Sequence, residues 1–284
     1  MKTASVASRL LTWPQYLLPQ KLLTAMAWRL SNCQVTWFKN WFITIFVQMF
    51  QVNLDEARRE QPEDYACFND FFTRELKPDA RPLAAVRHAL ISPCDGAISQ
   101  LGNIAGNTLI QAKGIDYTSS ALLGSADWAD PFENGRFITI YLAPNDYHRV
   151  HMPASGRLVA ERRIPGRLFS VSAATTQSVK GLFTRNERLV ALFESEHGPV
   201  AVVMVAALMV AGIETVWGGP QQRRPGRRVE TINHDNGMEL QRGGEMGRFH
   251  WGSTVIILTP KGFPPWRESL ASGRRIRLGQ ALTE

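Results

Sequence analysis

The spacing of hydrophobic residues divides the chain into an N-terminal part with a helical period and a longer part patterned like strands. The helical period occurs in three segments: 21–31, 35–52 and 66–76. Beyond about residue 90, short runs rich in β-branched residues alternate with Gly, Pro and Asn: 97–101, 137–143, 189–193, 199–210, 213–217 and 254–259. The pattern predicts an α+β fold, in which an amphipathic helical region, 1–80, packs on a mainly antiparallel β core, 81–284.

The second helical segment, 35–52, is apolar around most of its circumference. Its polar residues recur at steps of three or four and form one narrow stripe: Asn40, Thr44, Gln48 and Gln51. Between Lys39 and Asp55 only 15 residues are uncharged, fewer than the roughly 20 that a membrane-spanning helix needs. Two interpretations stay open at this point: a helix of the protein core, or a helix that lies along a membrane surface.

The distribution of charge favours the membrane surface. The 284 residues carry a net charge of +7 with a pI near 9.6, which indicates an anionic partner. Residues 1–54 contain no acid, but they contain Lys2, Arg9, Lys21, Arg29, Lys39, Trp13, Trp28, Trp37 and Trp41. Basic and aromatic residues without acids are typical of a segment among lipid headgroups, so we expect peripheral attachment to an anionic membrane.

Two arginine-rich stretches, 222–228 and 274–277, could instead suggest nucleic-acid binding. The tryptophans cluster in the acid-free N-terminal segment and not among these arginines, whereas binding of single strands combines the two. We therefore expect no nucleic-acid partner, and we interpret 222–228 as a solvated loop.

The cysteines indicate neither disulfides nor a structural metal. Cys33, Cys67 and Cys94 are odd in number and have no CxxC spacing, which fits a reducing compartment. The pair His148 and His151 has the spacing of metal ligands, but the sequence offers no obvious third ligand nearby. We expect no metal.

The residues best suited to chemistry surround Ser253, which follows Gly252 at the start of the last predicted strand. A nucleophilic serine needs a base, and His148 and His151 lie together in one polar turn after a predicted strand. Asp95 lies on an Asp-Gly turn before another strand and could orient a histidine. Together these residues make an Asp–His–Ser set that can raise the nucleophilicity of the serine.

Two features argue against a conventional serine hydrolase. The sequence around Ser253 lacks the G-x-S-x-G elbow, and the serine precedes a strand, so no helix N-terminus is available to stabilise an oxyanion. A serine that follows an unhindered glycine suits a different reaction, namely attack on its own preceding peptide carbonyl.

Seven blocks of sequence, in order, resemble the phosphatidylserine decarboxylase proenzymes of the shorter bacterial type. They are FNDFFTRELKPDARP (68–82), SPCDGAISQ (92–100), YLAPNDYHRVHMP (141–153), GRLFSV (166–171), LFTRNERLV (182–190), GIETVWGG (212–219) and GGEMGRFHWGSTV (243–255). The usual Leu-Gly-Ser-Thr cleavage motif of that family is Trp-Gly-Ser-Thr here, at 251–254. The substitution leaves the reacting Gly252–Ser253 pair intact.

The resemblance implies an enzyme that cleaves its own chain between Gly252 and Ser253. The products, 1–252 and 253–284, would stay associated without a covalent bond. His151, oriented by Asp95, would take the proton of Ser253, and Ser253 would become a covalent pyruvoyl cofactor. The pyruvoyl group would accept the electrons released as CO2 leaves phosphatidylserine, and His148 would donate a proton as phosphatidylethanolamine forms.

The same resemblance implies a peripheral protein on the cytoplasmic face of the bacterial cell membrane, acting in phospholipid biosynthesis. Two other functions compete with it: a lipid esterase that keeps Ser253 as its nucleophile, and a membrane-docking protein without catalysis. The sequence does not fix the oligomeric state, and a homodimer stays open.

Overall fold

The fold is α+β, as expected, in a computed structural model that describes residues 12–86, 88–208, 212–218 and 228–284. Most of the helical residues precede the first strand. The helices are α1 (Pro14–Leu17), α2 (Gln20–Ser31), α3 (Thr36–Phe50), α4 (Phe68–Phe72), α5 (Ser119–Leu123), α6 (Ala126–Ala129), α7 (Ala173–Thr176) and α8 (Leu182–Arg185), with 3-10 turns at Pro62–Asp64 and Asp130–Phe132.

Antiparallel pairing dominates the strands, which form three sheets in the described part of the chain. The strands are β1 (Gly96–Asn103), β2 (Thr108–Ala112), β3 (Ile115–Thr118), β4 (Arg136–Leu142), β5 (Arg149–His151), β6 (Gly156–Ile164), β7 (Arg188–Ser195), β8 (Gly198–Ala206), β9 (Ile213–Thr215), β10 (Glu230–Asn233), β11 (Glu239–Leu240), β12 (Glu245–Phe249), β13 (Ser253–Thr259) and β14 (Arg275–Ile276). The large sheet has the order β10-β6-β7-β8-β13-β4-β1-β14, with β11 also on β6; the small sheets are β5-β12-β9 and β2-β3.

Strand β13 lies in the middle of the large sheet. It pairs with β8 on one side and with β4 on the other, and all seven of its residues are buried. A strand covered on both faces is a nearly continuous run of β-branched residues, as Val255, Ile256 and Ile257 are here. The pairing places Ser253, its first residue, opposite Leu142 of β4 and Ala206 of β8.

The sequence left two interpretations of α3 open, and each of them describes one side of the helix. Ile43 and Phe46 are buried in an aromatic cluster, with Tyr65, Phe68, Phe71 and Phe72 among its other members. Trp37 and Trp41, on the other side of the helix, are 73% and 55% exposed. The helix is therefore a core helix along one side and carries exposed aromatic rings along the other.

Exposed hydrophobic side chains concentrate in the N-terminal helices. Of the 18 large exposed hydrophobic residues in the described part of the chain, 11 precede residue 50: Trp13, Tyr16, Leu17, Leu18, Leu22, Met26, Leu30, Val35, Trp37, Trp41 and Met49. An apolar patch of this kind marks a site of interaction with a membrane or another protein. Among the described residues, no helix is both long enough and apolar enough to cross a membrane.

The helix predicted over 66–76 is shorter than expected. Helix α4 ends at Phe72, because the next residues leave the helix to pair with an earlier segment. The backbone amide of Arg58 donates to the carbonyl of Glu75, and that of Lys77 donates to Glu56. Tertiary pairing has overridden the helical period there.

The structure explains one of the two arginine-rich stretches. The loop interpretation of 222–228 lies outside the described residues, apart from the exposed Arg228. In 274–277, Arg275 pairs with Asp146, and Arg277 pairs with Glu56 at 3.2 Å. These two arginines are thus engaged within the protein.

Candidate active site

Ser253 is fully buried, and its hydroxyl group has no hydrogen-bond partner among the described residues. A buried hydroxyl without a partner costs free energy of the order of 1–3 kcal/mol. The pairing of β13 does not require a serine at its first position, because an alanine would pair equally well in the sheet. Among the described residues, Thr254 and Thr259 of the same strand also keep buried hydroxyls without a partner, so the position directly after Gly252 is what distinguishes the free Oγ atom of Ser253.

Trp251, two residues before Ser253, has an unusual backbone conformation. Trp251 has a φ of 95°, a left-handed conformation that costs a bulky residue about 1–3 kcal/mol. A Cβ atom on Gly252 would meet only the carbonyl oxygen of Leu142, at an ordinary 3.7 Å. Packing therefore does not require glycine at 252, and the absent side chain leaves the carbonyl carbon of Gly252 open to attack.

The segment that leads into Ser253 is anchored at three consecutive residues. The amide of Phe249 donates to the carbonyl of His148 at 3.0 Å, and His250 Nε2 lies 3.0 Å from a carboxylate oxygen of Glu214. The indole Nε1 of Trp251 donates to the hydroxyl of Ser31 in α2 at 3.1 Å. These contacts over-determine the segment, which is what a strained backbone needs in order to persist.

The indole of Trp251 packs into the aromatic cluster beneath α3. Its ring centroid lies 5.0 Å from that of Phe68 and 5.6 Å from that of Phe72. Phe72 in turn stacks on the imidazole of His148, with the centroids 4.1 Å apart. The ring of Phe72 thus lies between Trp251 and His148.

His148 is fully buried and keeps one ring nitrogen without a hydrogen-bond partner. Its Nε2 lies 3.0 Å from the carbonyl of Ala143 and must donate to it, so Nδ1 holds the lone pair of the neutral ring. Burial, together with the nearby Arg74 guanidinium, lowers the pKa of His148 to about 3. Ala143 directly follows Leu142, the partner of Ser253 in the sheet, so His148 lies at the end of β4 beside the start of β13.

His151 has both ring nitrogens engaged. Its Nδ1 donates to the carbonyl of Gly243 at 2.8 Å, which leaves Nε2 to accept from the hydroxyl of Tyr147 at 3.1 Å. Burial lowers the pKa of His151, while its bond to the Gly243 carbonyl and the carboxylates of Glu245 and Asp95 oppose that shift. The imidazolium form is thus better supported at His151 than at His148.

Asp95 does not make the expected hydrogen bond to His151. Both of its oxygens accept from the Arg81 guanidinium, at 2.6 to 3.1 Å, and Oδ1 also accepts from the amide of Leu278 at 2.8 Å. Asp95 acts on His151 only through its charge, because its lone pairs are directed at these two donors. A buried carboxylate takes the strongest donor within reach, and for Asp95 that donor is the guanidinium of Arg81.

The structure thus brings the four predicted site residues together only in part. His148 lies at the end of β4 nearest Ser253, whereas His151 lies at the far end of β5 and faces Tyr147. In the described part of the chain, no hydrogen bond joins Ser253 to a histidine or to Asp95.

Tyr147 and Asp95 also line a polar cavity of about 430 Å³. Arginines predominate among its charged residues, and Arg74 and Arg81 come from the segment just after α4. Both arginines lie within the block 68–82, and the sequence alone indicates no role for either of them. Arg74 lies two residues after Phe72 and is itself buried, a property that only the fold reveals.

One group of side chains in the described residues has the arrangement of metal ligands: His88, Glu196 and His197, with ligand atoms within 4.8 Å of one another. This group is exposed and shares no residue with the site around Ser253. The two predicted histidines, His148 and His151, do not belong to this group. Each of them donates one ring nitrogen to a backbone carbonyl.

Comparison with known proteins identifies the class of enzyme. The family model described as phosphatidylserine decarboxylase matches residues 68–284, and a second model, described as PSD, matches residues 10–51. A phosphatidylserine decarboxylase proenzyme of Pseudomonas putida is 48% identical over 280 residues, which are 97% of each chain. Proteins of the same name from Saccharophagus degradans and Halorhodospira halophila are each 46% identical, over 95% and 98% of this chain and 95% of their own length.

These matches define an enzyme of the decarboxylase class. The chain belongs to the phosphatidylserine decarboxylase family, as its seven sequence blocks indicated.

The buried histidines predict how stability depends on pH. Since the pKa of His148 is about 3 in the fold and about 6.5 in an unfolded chain, the unfolded state binds more protons between these values. The free energy of unfolding should therefore be greatest above pH 6.5 and fall by up to about 1.4 kcal/mol per pH unit below it. The lowered pKa of His151 acts in the same direction.

Urea unfolding at pH 7.5 and pH 5.5 measures this dependence in the Ser253→Ala chain, which lacks the serine expected to attack the backbone. The matched variant adds His148→Gln, which should remove the share of the pH dependence that His148 contributes. Equal pH dependence in the two chains would show that His148 titrates normally in the fold.

Proposed function

We propose that this protein cleaves itself between Gly252 and Ser253 and then decarboxylates phosphatidylserine with the pyruvoyl group that Ser253 becomes. The observation that carries the proposal is the buried, unpaired hydroxyl of Ser253, placed after an unhindered glycine and a strained Trp251. The names of the similar proenzymes support both the substrate and the cleavage.

The cleavage is an acyl shift followed by elimination. Ser253 Oγ loses its proton to a base and attacks the carbonyl carbon of Gly252; the C–N bond breaks, and the nitrogen of Ser253 leaves as a free amine. The peptide has become an ester. Removal of the Ser253 α-proton then expels the Gly252 carboxylate, and the dehydroalanine that remains takes up water, loses ammonia and becomes a pyruvoyl group.

The residues around Ser253 fit such a group. The Oγ atom of Ser253 leaves with the carboxylate of Gly252. Because this atom has no hydrogen-bond partner among the described residues, its departure breaks no hydrogen bond. A pyruvoyl group supplies an electron sink for the departure of CO2 from a carbon that bears an amine. The buried start of β13 would keep bulk water away from it.

We assign the role of base for Ser253 to His151, with Asp95 acting through its charge. The carboxylates of Glu245 and Asp95 favour a proton on His151, whereas Arg74 disfavours one on His148. The Tyr147 hydroxyl occupies Nε2 of His151, so it has to move before that nitrogen takes the serine proton. We assign His148 to turnover, as the donor of the proton that takes the place of CO2 on the product carbon.

The short chain 253–284 would stay bound after cleavage because it is built into the sheet. Strand β13 keeps both neighbours, and the amide of Leu278 keeps its bond to Asp95. Further along, Trp266 Nε1 donates to the carbonyl of Phe137, and the amide of Leu282 donates to Leu90.

The first test is the mass of the chain under denaturing conditions. Wild-type protein should separate into chains of 252 and 32 residues, the shorter without a free α-amine, and should release CO2 from phosphatidylserine. Ser253→Ala should remain one chain without activity, since it lacks the attacking oxygen. Wild-type protein that stays uncut and hydrolyses lipid esters would support the esterase alternative instead.

The second test separates the histidines. His151→Ala should accumulate the uncut chain, because the base for Ser253 is lost, and cleavage should slow by 10²-fold or more, on the order of a general-base contribution. His148→Ala should still cleave but lose most decarboxylase activity. A gel time course and a CO2 assay report the two steps separately, and a cleavage defect confined to His148→Ala would reverse the assignment.

We further propose that 1–80 is a membrane-associating region attached to a catalytic region, 81–284, on the cytoplasmic face of the cell membrane. The exposed side chains of α2 and α3 support this placement, since a lipid substrate keeps its acyl chains in the bilayer. Arg29 is exposed among them, whereas the Nζ of Lys39 is held by the carbonyls of Pro62 and Glu63.

The third test replaces Trp37 and Trp41 by serine. Each ring withdrawn from lipid should cost on the order of 2 kcal/mol, so affinity for vesicles that contain anionic lipid should fall at least about tenfold. Activity on long-chain phosphatidylserine should fall more than activity on a short-chain soluble analogue. Cosedimentation with vesicles gives the affinity.

The matched control replaces Val159 and Val229, exposed side chains of the β region, by serine. That variant should bind vesicles as the wild type does. Phe46→Ala, by contrast, removes a buried ring of the aromatic cluster and should destabilise the fold by about 3–5 kcal/mol. Unchanged vesicle binding in the Trp37/Trp41 variant would exclude this face of α3 as the attachment surface.

A further inference from the structure

The cavity next to Tyr147 contains one arginine that, among the described residues, forms no ion pair with a carboxylate. Its charged lining residues are four arginines and three acids. Three of the arginines are paired: Arg81 with Glu56 and Asp95 at 2.6 Å, Arg275 with Asp146, and Arg277 with Glu56 at 3.2 Å.

Arg74 is the fourth, and it is only 3% exposed. Its Nη2 reaches the backbone carbonyls of Asn145 and Asp146, both at a long 3.3 Å. Its Nε and Nη1 are buried, and they have no hydrogen-bond partner in the described part of the chain. Burying an ionised group without a partner is expensive, so these donors need an anion that the protein itself does not supply.

We infer that Arg74 binds the phosphodiester of the lipid headgroup, an inference that rests on the proposed function. A guanidinium is the side chain best suited to phosphate oxygens. The cavity, at about 430 Å³, lies within the range of ligand sites. The one guanidinium without an ion pair matches the single negative charge of a phosphodiester.

The carboxylate of the serine headgroup is the other anion of the substrate, and the chemistry argues against it. Its charge moves away as CO2 forms, so a buried guanidinium upon it would stabilise the ground state more than the transition state. The phosphodiester keeps its charge throughout, and it is held equally before and after the reaction.

Arg74 is positioned to place the headgroup beside the reacting centre. Its contacts to Asn145 and Asp146 lie in the turn that continues into His148, and it lowers the pKa of His148 through its charge. The carbonyl of Ala143, at the start of that turn, accepts a hydrogen bond from His148. Ala143 directly follows Leu142, which pairs with Ser253 in the sheet. A phosphodiester on Arg74 would thus lie next to the turn 143–148, which carries His148.

The experiment compares Arg74→Gln and Arg74→Lys with the wild type. Both variants should raise KM for phosphatidylserine in mixed micelles, Arg74→Gln by about tenfold or more, with kcat within about twofold, because the lost interaction is the same in substrate and transition state. The matched control is Arg58→Gln, which removes an exposed, paired arginine outside the cavity and should leave both constants unchanged.

Two soluble probes distinguish the anions by calorimetry with the uncut Ser253→Ala chain, whose binding does not depend on processing. Glycerophosphoethanolamine carries a phosphodiester and no carboxylate, and serine carries the reverse. We expect the first to bind, and to lose its affinity in the chain that also carries Arg74→Gln. Binding of serine alone, or glycerophosphoethanolamine binding that is independent of Arg74, would overturn the inference.

Failure of the inference is distinguishable from failure of the proposed function. A wild type that is cut and decarboxylates phosphatidylserine, with Arg74→Gln variants of unchanged KM, refutes only the role of Arg74. An uncut or inactive wild type refutes the proposed function. If Arg74→Gln does not fold, Arg74→Lys keeps the charge but lacks the fork of donors and gives the same comparison.

Discussion

The position of β13 at the centre of the large sheet is the constraint on which the rest of the structure depends. A strand held by β8 and β4 along its whole length cannot shift by one residue without moving buried side chains to the wrong face. Ser253 is the first residue of that strand, so its place is fixed to within one peptide unit. The reactive atom needs no loop to position it.

The same placement explains how a chain could be cut near its end and keep its fold. The break would fall at the point where β13 begins, so the rest of the strand, 254–259, would stay paired in the sheet. Asp95 adds a polar tie across the two chains, because it accepts from Arg81 of the longer one and from Leu278 of the shorter one. Its carboxylate is thus first a structural group, and it reaches His151 through its field alone.

Much of the fold could be predicted from the sequence. The periodicity located α2, α3 and the strands β1, β4, β7, β8 and β13 to within a few residues, because long apolar patterns are set by burial. It missed the nine-residue β6, in which four residues are charged. The short helix α4 was overestimated, since Glu75 and Lys77 pair with the backbone of 56–58, and no local pattern encodes that pairing. The hairpin of β2 and β3 was also missed, because its strands are only five and four residues long and are partly exposed.

The site was predictable in its residue types and less so in its bonds. A serine after glycine, two histidines in one turn and an aspartate on another were visible in the sequence. Their partners were not, since the choice of Asp95 between His151 and Arg81 is made by folding segments distant in sequence into contact. Arg74 was overlooked for the same reason: its lack of a carboxylate partner is a property of the folded cavity.

The aromatic cluster gives the N-terminal helices a direct physical route to the cleavage point. Trp251 joins the cluster in place of the leucine that the family usually has there, packing on Phe68 and Phe72 and donating to Ser31 of α2. Its left-handed backbone is held by these contacts, so strain at the residue before Gly252 is balanced by packing beneath the exposed face of α3. The helices that carry the exposed tryptophans and the peptide to be broken therefore share one cluster of rings. Phe46 of α3 contacts Trp251 directly, so a shift of α3 would displace Trp251.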